Sequence, residues 1–297
     1  MKKRILLVLL ILMLSASGCT EQGSNAQEEI DIADSLMISA YEMLEDIDPA
    51  YPSDAENRLY ASQVSYEDAL EILENIETKD AEQQKLIGID IIRCKYSLES
   101  IEAEKHLIDC YTHLTKASSY ISAEEYDKAH EEISLFNSAI SEASLNAENA
   151  KELADEIDID EVPIESKSDL IYERESIYDT KQIISEFSNI QAALNYEVNG
   201  LESYNRALEN MDNEEWGKAE VNFNGTVSNL SLSNDIFIEL QDSEYSEIST
   251  VSIEINSAFD YMITFSEHCE TACGYMDDGK IRPANAEFEL AIQSLSE

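Results

Sequence analysis

Apolar side chains recur at steps of three and four residues along nearly the whole chain. Steps of this size keep side chains on one face of an α-helix, which completes a turn every 3.6 residues. The chain of 297 residues contains only eight Gly and four Pro, so few positions would break a helix. The pattern therefore predicts an all-α fold built from long helices. Its clearest stretch is Val251, Ile255, Ala258, Met262, Phe265, Cys269, Ala272 and Met276.

The predicted breaks between helices divide the chain into two halves. Residues 48–54 contain two prolines and separate a first helix from a second. Residues 156–168 (EIDIDEVPIESKS) are acidic, lack helical periodicity and contain Pro163, and we interpret them as the main linker. Short turns are predicted at 211–213 and 277–279. The expected organisation is an N-terminal helical half at 28–155, the linker at 156–168 and a C-terminal helical half at 169–297.

One short pattern recurs, in which an aromatic residue stands three positions before an alanine at a predicted helix start. Its copies are Tyr66 with Ala69, Tyr126 with Ala129, Trp216 with Ala219, and a looser copy from Gly279 to Ala284 and Ala286. These copies resemble the second helix of tetratricopeptide repeats, although that family's first-helix signature and 34-residue period are absent. The resemblance implies stacked antiparallel helical hairpins, as a tetratricopeptide-like array or a helical bundle. The spacing of the copies also suggests two similar halves of about four helices each; chance similarity among Glu- and Ala-rich helices is the alternative.

The first residues have the three parts of a secretion signal. Met1–Arg4 is basic, Ile5–Leu14 is an apolar run, and small residues follow up to Gly18. The run spans ten residues, whereas a membrane-spanning helix needs about 20. We therefore expect residues 1–18 to direct export and to be removed.

The residue after the predicted cleavage site is Cys19. Residues Ala16–Cys19 resemble the lipobox of prokaryotic lipoproteins, in which the cysteine that follows the cut carries lipid. The family favours Leu where this chain has Ala16. The resemblance implies lipidation of Cys19, with residues 19–27 as a flexible tether. The predicted location is the outer face of the cytoplasmic membrane; the alternative is a secreted chain in which Cys19 is incidental.

A large excess of acidic residues limits the possible partners. The chain has 63 acidic and 19 basic residues and a formal net charge of −44. Such a surface repels nucleic acids and anionic lipid head groups, so membrane contact is expected only through a lipid anchor. A protein or peptide partner would be basic or neutral. Taken with the tether, the acidic character is similar to that of archaeal surface lipoproteins; a face adapted to a salty medium is the simplest interpretation of the charge.

Two groups of histidine and cysteine residues are candidate metal ligands. His106, Cys110 and His113 stand at i, i+4 and i+7, and therefore share one helix face. Cys269 and Cys273, next to His268, form the second group. If the two halves packed together, these side chains could bind Zn or Cu. The alternative is that the cysteines are small core residues. We favour this alternative and therefore predict no metal or other cofactor.

The redox state of the four cysteines beyond Cys19 stays open at this stage. An oxidising exterior would favour disulfides, whereas an anaerobic cell surface would leave the thiols reduced. Cys94 and Cys110 would lie about 24 Å apart along one continuous helix, which is too far for a bond. Any bridge would therefore link the two halves or cross a helix break. The remaining cysteines are Cys269 and Cys273.

The sequence contains no recognisable catalytic motif, and we predict that the protein is not an enzyme. Two acceptor sequences for glycosylation begin at Asn224 and Asn229. The leading hypothesis is an exported, lipid-anchored binding or scaffolding module at the cell envelope, since helical repeats use their concave faces to bind partners. The alternatives are a carrier of metal or small ligands that uses the Cys/His groups, and a passive acidic coat component.

Overall fold

The computed structural model describes residues 22–44, 47 and 51–294, and within these ranges it contains α-helices and one short 3₁₀ turn but no β-strand. The all-α prediction is confirmed. The helices are α1 Gln22–Leu44, α2 Pro52–Asn75, α3 Ala81–Ser122, α4 Tyr126–Asp155, α5 Ile164–Asp212, α6 Trp216–Leu240, α7 Ser246–Asp277 and α8 Ile281–Ser294, with the 3₁₀ turn at Ile159–Glu161 between α4 and α5.

Each helix packs antiparallel against the next helix in the chain. In α3 and α4, for example, the pair His113–Glu132 lies near the turn and the pair Glu99–Asn149 lies far from it. The hydrophobic clusters follow the same order. One cluster joins α1, α2 and α3, the next joins α3, α4 and α5, and the last joins α5 to α8. The fold is therefore a stack of helical hairpins in which successive cores share helices.

Three of the hairpins have the same turn. The second residue after the helix that precedes each turn is in the left-handed region, at φ 59° for Glu124, 58° for Glu214 and 72° for Gly279. The next backbone N–H then reaches back to a carbonyl in the last helical turn, as in Glu125 N to Tyr120 O at 2.9 Å. This is the Schellman arrangement that closes helix C-termini. Equivalent bonds join Glu215 to Asn210 and Lys280 to Tyr275.

Fully buried alanines flank each of these turns. The alanine seven residues before the left-handed residue and the alanine five residues after it are 0% exposed in all three hairpins. Because a methyl group occupies little space, the two helices can approach closely at these levels. The alanines are Ala117 and Ala129, Ala207 and Ala219, and Ala272 and Ala284.

The recurring aromatic–alanine pattern thus begins α4, α6 and, in its looser form, α8. For the copy at Tyr66 the predicted helix start is wrong, because this residue lies in the middle of α2. Tyr66 and Ala69 are both buried against α1 and α3. An aromatic residue three positions before an alanine marks a shared helix face, and such a face can occur anywhere along a helix.

Two predicted irregular segments are shorter than expected. The connection between α4 and α5 ends at Pro163, which precedes the first residue of α5, so residues 164–168 belong to the helix. Its side chains Ile157 and Val162 are buried in a cluster with Tyr96 of α3, which anchors the segment to the fold. In the predicted tether, residues 22–27 belong to α1. Ala26 in this segment is buried, because α1 packs against the rest of the fold here.

The apolar stripe of α7 is confirmed as helical, and most of it packs into the core. Of its residues, Cys269 and Ala272 are buried, whereas Val251 and Ala258 near the start are exposed. The stripe missed a second set of buried positions that recurs every seven residues: Ser252, Phe259, Ser266 and Cys273. Buried serines escaped the prediction because it followed apolar side chains only.

The predicted signal at 1–18 and Cys19 lie outside the described residues. Within the described ranges, no helix is both long and apolar enough to cross a membrane.

The left-handed turn position gives a test of the hairpin geometry. Replacing Glu214 (φ 58°) by Gly should raise the free energy of unfolding by about 0.5–1 kcal/mol, because glycine adopts positive φ without strain. The matched control is Gly279→Glu, since a side chain at Gly279 meets nothing within 4 Å and adds backbone strain alone. Urea denaturation should show opposite shifts for the two variants. Equal shifts of the same sign would contradict the shared turn.

Candidate binding cleft

A cleft of about 600 Å³ lies between α1, the first half of α3 and the start of α5. Its lining is largely apolar but includes five charged side chains. The charged members are Asp34 from α1, Asp90 and Arg93 from α3, and Asp169 and Glu173 from α5. The main apolar and aromatic members are Ile30, Met37, Ile38, Tyr41, Tyr66, Leu86, Ile87, Ile89, Leu170 and Tyr172.

A bidentate ion pair joins α3 to α5 at the inner wall of the cleft. Arg93 donates from Nη2 to Glu173 Oε1 at 2.5 Å and from Nε to Oε2 at 3.2 Å. The Tyr96 hydroxyl donates to the same carboxylate. Both side chains of the Arg93–Glu173 pair are less than one-fifth exposed. Burial by itself would lower the guanidinium pKa, but the hydrogen bonds and the charge of Glu173 outweigh it and hold the pKa above its ordinary value. The positive charge of Arg93 is thus neutralised chiefly by Glu173.

The two aspartates are paired less completely than Glu173. Asp90 accepts from Arg93 Nη1 at 3.3 Å. Burial raises the pKa of Asp90 to about 6, and the nearby Asp34 carboxylate adds to the rise while Arg93 opposes it. Asp34 lies at the mouth with an exposed side chain, yet partial burial raises its pKa too. A carboxylate whose pKa is raised has too little positive charge near it to offset the loss of solvent.

Aromatic rings border both ends of the cleft. Tyr41 and Tyr172 pack edge to face at the mouth, with ring centroids 6.5 Å apart. Tyr66 is buried at the inner end beside Ser97, and burial raises the pKa of its hydroxyl to about 12. Since a hydroxyl with this pKa stays neutral near pH 7, Tyr66 contributes polarisable surface without charge.

The arrangement is suited to binding. A volume of about 600 Å³ is within the range of small-ligand pockets. Four acidic side chains face one basic side chain, so the cleft as a whole is negative. A cation with an apolar body would fit both its charge and its walls.

The sequence prediction missed these residues because they come from distant parts of the chain. Asp34, Asp90 and Glu173 are far apart in sequence, and no spacing rule links them. One local signal was present. Asp90 and Arg93 interrupt the apolar run that begins at Leu86, and a basic residue within such a run is unusual in so acidic a chain.

The structure separates the candidate metal ligands into different cores. Cys110 is buried in the cluster of α3, α4 and α5, whereas Cys269 and Cys273 are buried in the cluster of α5 to α8. His113 Nδ1 lies 2.7 Å from Glu132 Oε2, and His106 lies 3.7 Å from Asp109. In the described ranges, no three His, Cys, Asp or Glu side chains are grouped closely enough to hold a metal ion.

The four body cysteines are free and buried, which answers the open question about their pairing in this structure. Burial raises the thiol pKa to about 12 for Cys94, Cys110 and Cys269 and to about 11 for Cys273. Thiols with such values are neutral near pH 7, and the metal-binding form is the thiolate. They serve here as small core side chains.

His113 and His268 belong to a repeated histidine–glutamate pair that the analysis of residue spacing did not detect. His113 pairs with Glu132 across the α3–α4 hairpin, and His268 pairs with Glu287 across the α7–α8 hairpin at 2.8 Å. Each histidine stands eleven residues before the left-handed turn residue, and each glutamate stands eight after it. The two pairs therefore occupy equivalent positions and link the helices of their hairpins.

Both candidate glycosylation sites lie within α6. Asn224 is exposed and donates to Glu270 Oε1 at 3.0 Å, whereas Asn229 is half-buried. Thr226, the third residue of the first acceptor sequence, is fully buried. Modification of either asparagine stays a prediction.

Comparison of the chain with protein-family models, with curated proteins and with solved structures gave no significant match.

Two half-buried glutamates outside the cleft predict a distinctive pH dependence. Burial alone raises the pKa of Glu104 and of Glu197 from 4.5 to about 7. Because the folded state holds these protons more tightly, their contribution to stability is full below about pH 4.5 and is lost as the pH rises through about 7.

We therefore expect Glu104→Gln to stabilise the fold at pH 8.5 by on the order of 2 kcal/mol and to have little effect at pH 4. Chemical denaturation at both pH values measures this difference. The exposed Glu142 on the neighbouring helix supplies the control Glu142→Gln, which should show no such difference. An equal effect of Glu104→Gln at both pH values would contradict the assignment.

Proposed function

We propose that this protein is an exported, lipid-anchored and non-enzymatic binding module of the cell envelope, which holds a protein or peptide partner in the cleft between α1, α3 and α5. The observation that carries the proposal is the cleft itself. It combines about 600 Å³ of space with a largely apolar lining and four carboxylates. The stack of hairpins, which resembles a tetratricopeptide-like array, would hold these walls at a fixed distance.

Charge supports a basic or neutral partner. The chain carries a net charge of −44, and the cleft has the same sign. Nucleic acid would be repelled, and the membrane would be reached through lipid on Cys19. The neutral, buried state of Cys110 and Cys269 favours this function over a metal carrier.

Anchoring can be tested by counting thiols in purified chain from the membrane fraction. The chain has five cysteines, four of which are buried in the body. If Cys19 carries lipid, the denatured protein should show four reactive thiols, and its mass should be that of a chain that begins at Cys19 plus the attached lipid. The variant Cys19→Ser should leave the membrane fraction. Five reactive thiols in an unprocessed chain would contradict the proposal.

Binding at the cleft can be tested by photo-crosslinking in intact cells. Ile38 lines the cleft and is 62% exposed, so Ile38→p-benzoylphenylalanine places a reactive group at its mouth. Leu135 of α4 is also exposed, at 44%, and lies outside the cleft lining. The same replacement there is the control. We expect a discrete adduct from position 38 only. Equal crosslinking at both positions, or none at position 38, would contradict the proposed site.

A further inference from the structure

We propose that the cleft binds an organic monocation, an ammonium or guanidinium group attached to an apolar body, and that the cation is held between Asp34 and Asp90. The inference rests on the proposed function and specifies the chemistry of what is bound. The same chemistry could come from a free amine or from a basic side chain of the partner.

The first step is that Arg93 is not available to bind an anion. Two of its nitrogens donate to Glu173, and Nη1 donates to Asp90. Each of the three nitrogens of the guanidinium group thus already donates to a carboxylate. An anionic ligand would have to displace Glu173, which is also fixed by the hydroxyl of Tyr96.

The second step is that two carboxylates that face the cleft, Asp90 of α3 and Asp34 of α1, are not fully neutralised by Arg93. Asp90 has a single bond of 3.3 Å to Arg93, in contrast to the bidentate contact made by Glu173. Asp34 faces it from α1, close enough to disfavour ionisation of Asp90. A cation between them would stabilise both carboxylates, since opposite charges a few ångströms apart attract strongly where water is partly excluded.

The third step concerns the rest of the ligand. A hydrated metal ion would need several oxygen ligands, and in the described part of the chain no group of three suitable side chains is close enough to provide them. Apolar residues such as Ile30, Met37 and Leu170 line the cleft beside the carboxylates, with the Tyr41–Tyr172 ring pair at the mouth. Apolar surface and tyrosine rings favour an organic cation, through burial and cation–π contact.

The experiment uses the chain processed at residue 19 and isothermal titration at pH 8 and low salt. Three probes share one apolar body and differ in charge: phenethylammonium, phenylacetate and phenethyl alcohol. We expect the cation to bind at least about tenfold more tightly than the other two, which corresponds to about 1.4 kcal/mol. Equal binding of all three, or preference for the anion, would overturn the proposal.

Variants assign the carboxylates. Asp90→Asn and Asp34→Asn should each weaken the cation about tenfold, whereas Asp109→Asn, at an exposed position on the same helix as Asp90, should change the affinity less than about twofold. Asp34 is exposed, so its variant does not threaten the fold. Thermal unfolding of each variant serves as the folding control. Full affinity in a folded Asp34→Asn and Asp90→Asn double variant would overturn the assignment.

The source of the cation is distinguished by a second probe, acetyl-Phe-Lys-amide, whose only positive charge is a side chain. Tighter binding of this probe than of phenethylammonium would assign the cation to a polypeptide, and the reverse would assign it to a free amine. The crosslinking result separates this inference from the proposed function. An adduct at position 38 without cation preference would reject the ligand chemistry but keep the cleft as the binding site.

Discussion

Close approach of helices at buried alanines is the constraint on which the rest of the structure depends. At each of the three similar turns, one alanine before the turn and one after it are fully buried, as in Ala207 and Ala219. A larger side chain at either position would force the helices apart and cost about 1–3 kcal/mol through overpacking. Because the same contact recurs in successive hairpins, each hairpin presents a similar outer face to the next. The stack follows from this repetition.

The acidic composition limits where charge can be buried. Most carboxylates lie on outer helix faces, where water and salt screen their mutual repulsion. Glu104, Glu197 and Asp90 are exceptions, since burial raises the pKa of each well above its ordinary value. Groups of this kind reduce the stability of the fold when they are ionised. Asp90 differs from the two glutamates because it lies in an open cleft, where a bound cation can offset that loss of stability.

Helices and turns could be predicted from the sequence, but the site could not. Alternating steps of four and three residues identified α7, and the motifs at Tyr126 and Trp216 marked the starts of α4 and α6, because these signals are local. The motif at Tyr66 failed since a shared helix face looks the same at the start and in the middle of a helix. The apolar pattern of α7 missed the buried Ser252 and Ser266, because these polar residues pack as small side chains.

The cleft occurs at the connection between two hairpins and not at a turn within one. Between α4 and α5 the chain forms no Schellman turn; it runs through a 3₁₀ turn whose flanking residues Ile157 and Val162 pack against α3. Arg174 of α5 donates to the carbonyl of Ile157 at 2.6 Å and so fixes this segment to the helix that follows it. The start of α5 is thereby held beside α3, close enough for Glu173 to reach Arg93. A tight turn of the kind that closes the α3–α4 hairpin would leave no such segment against α3, so this longer connection is what brings Glu173 and Arg93 together.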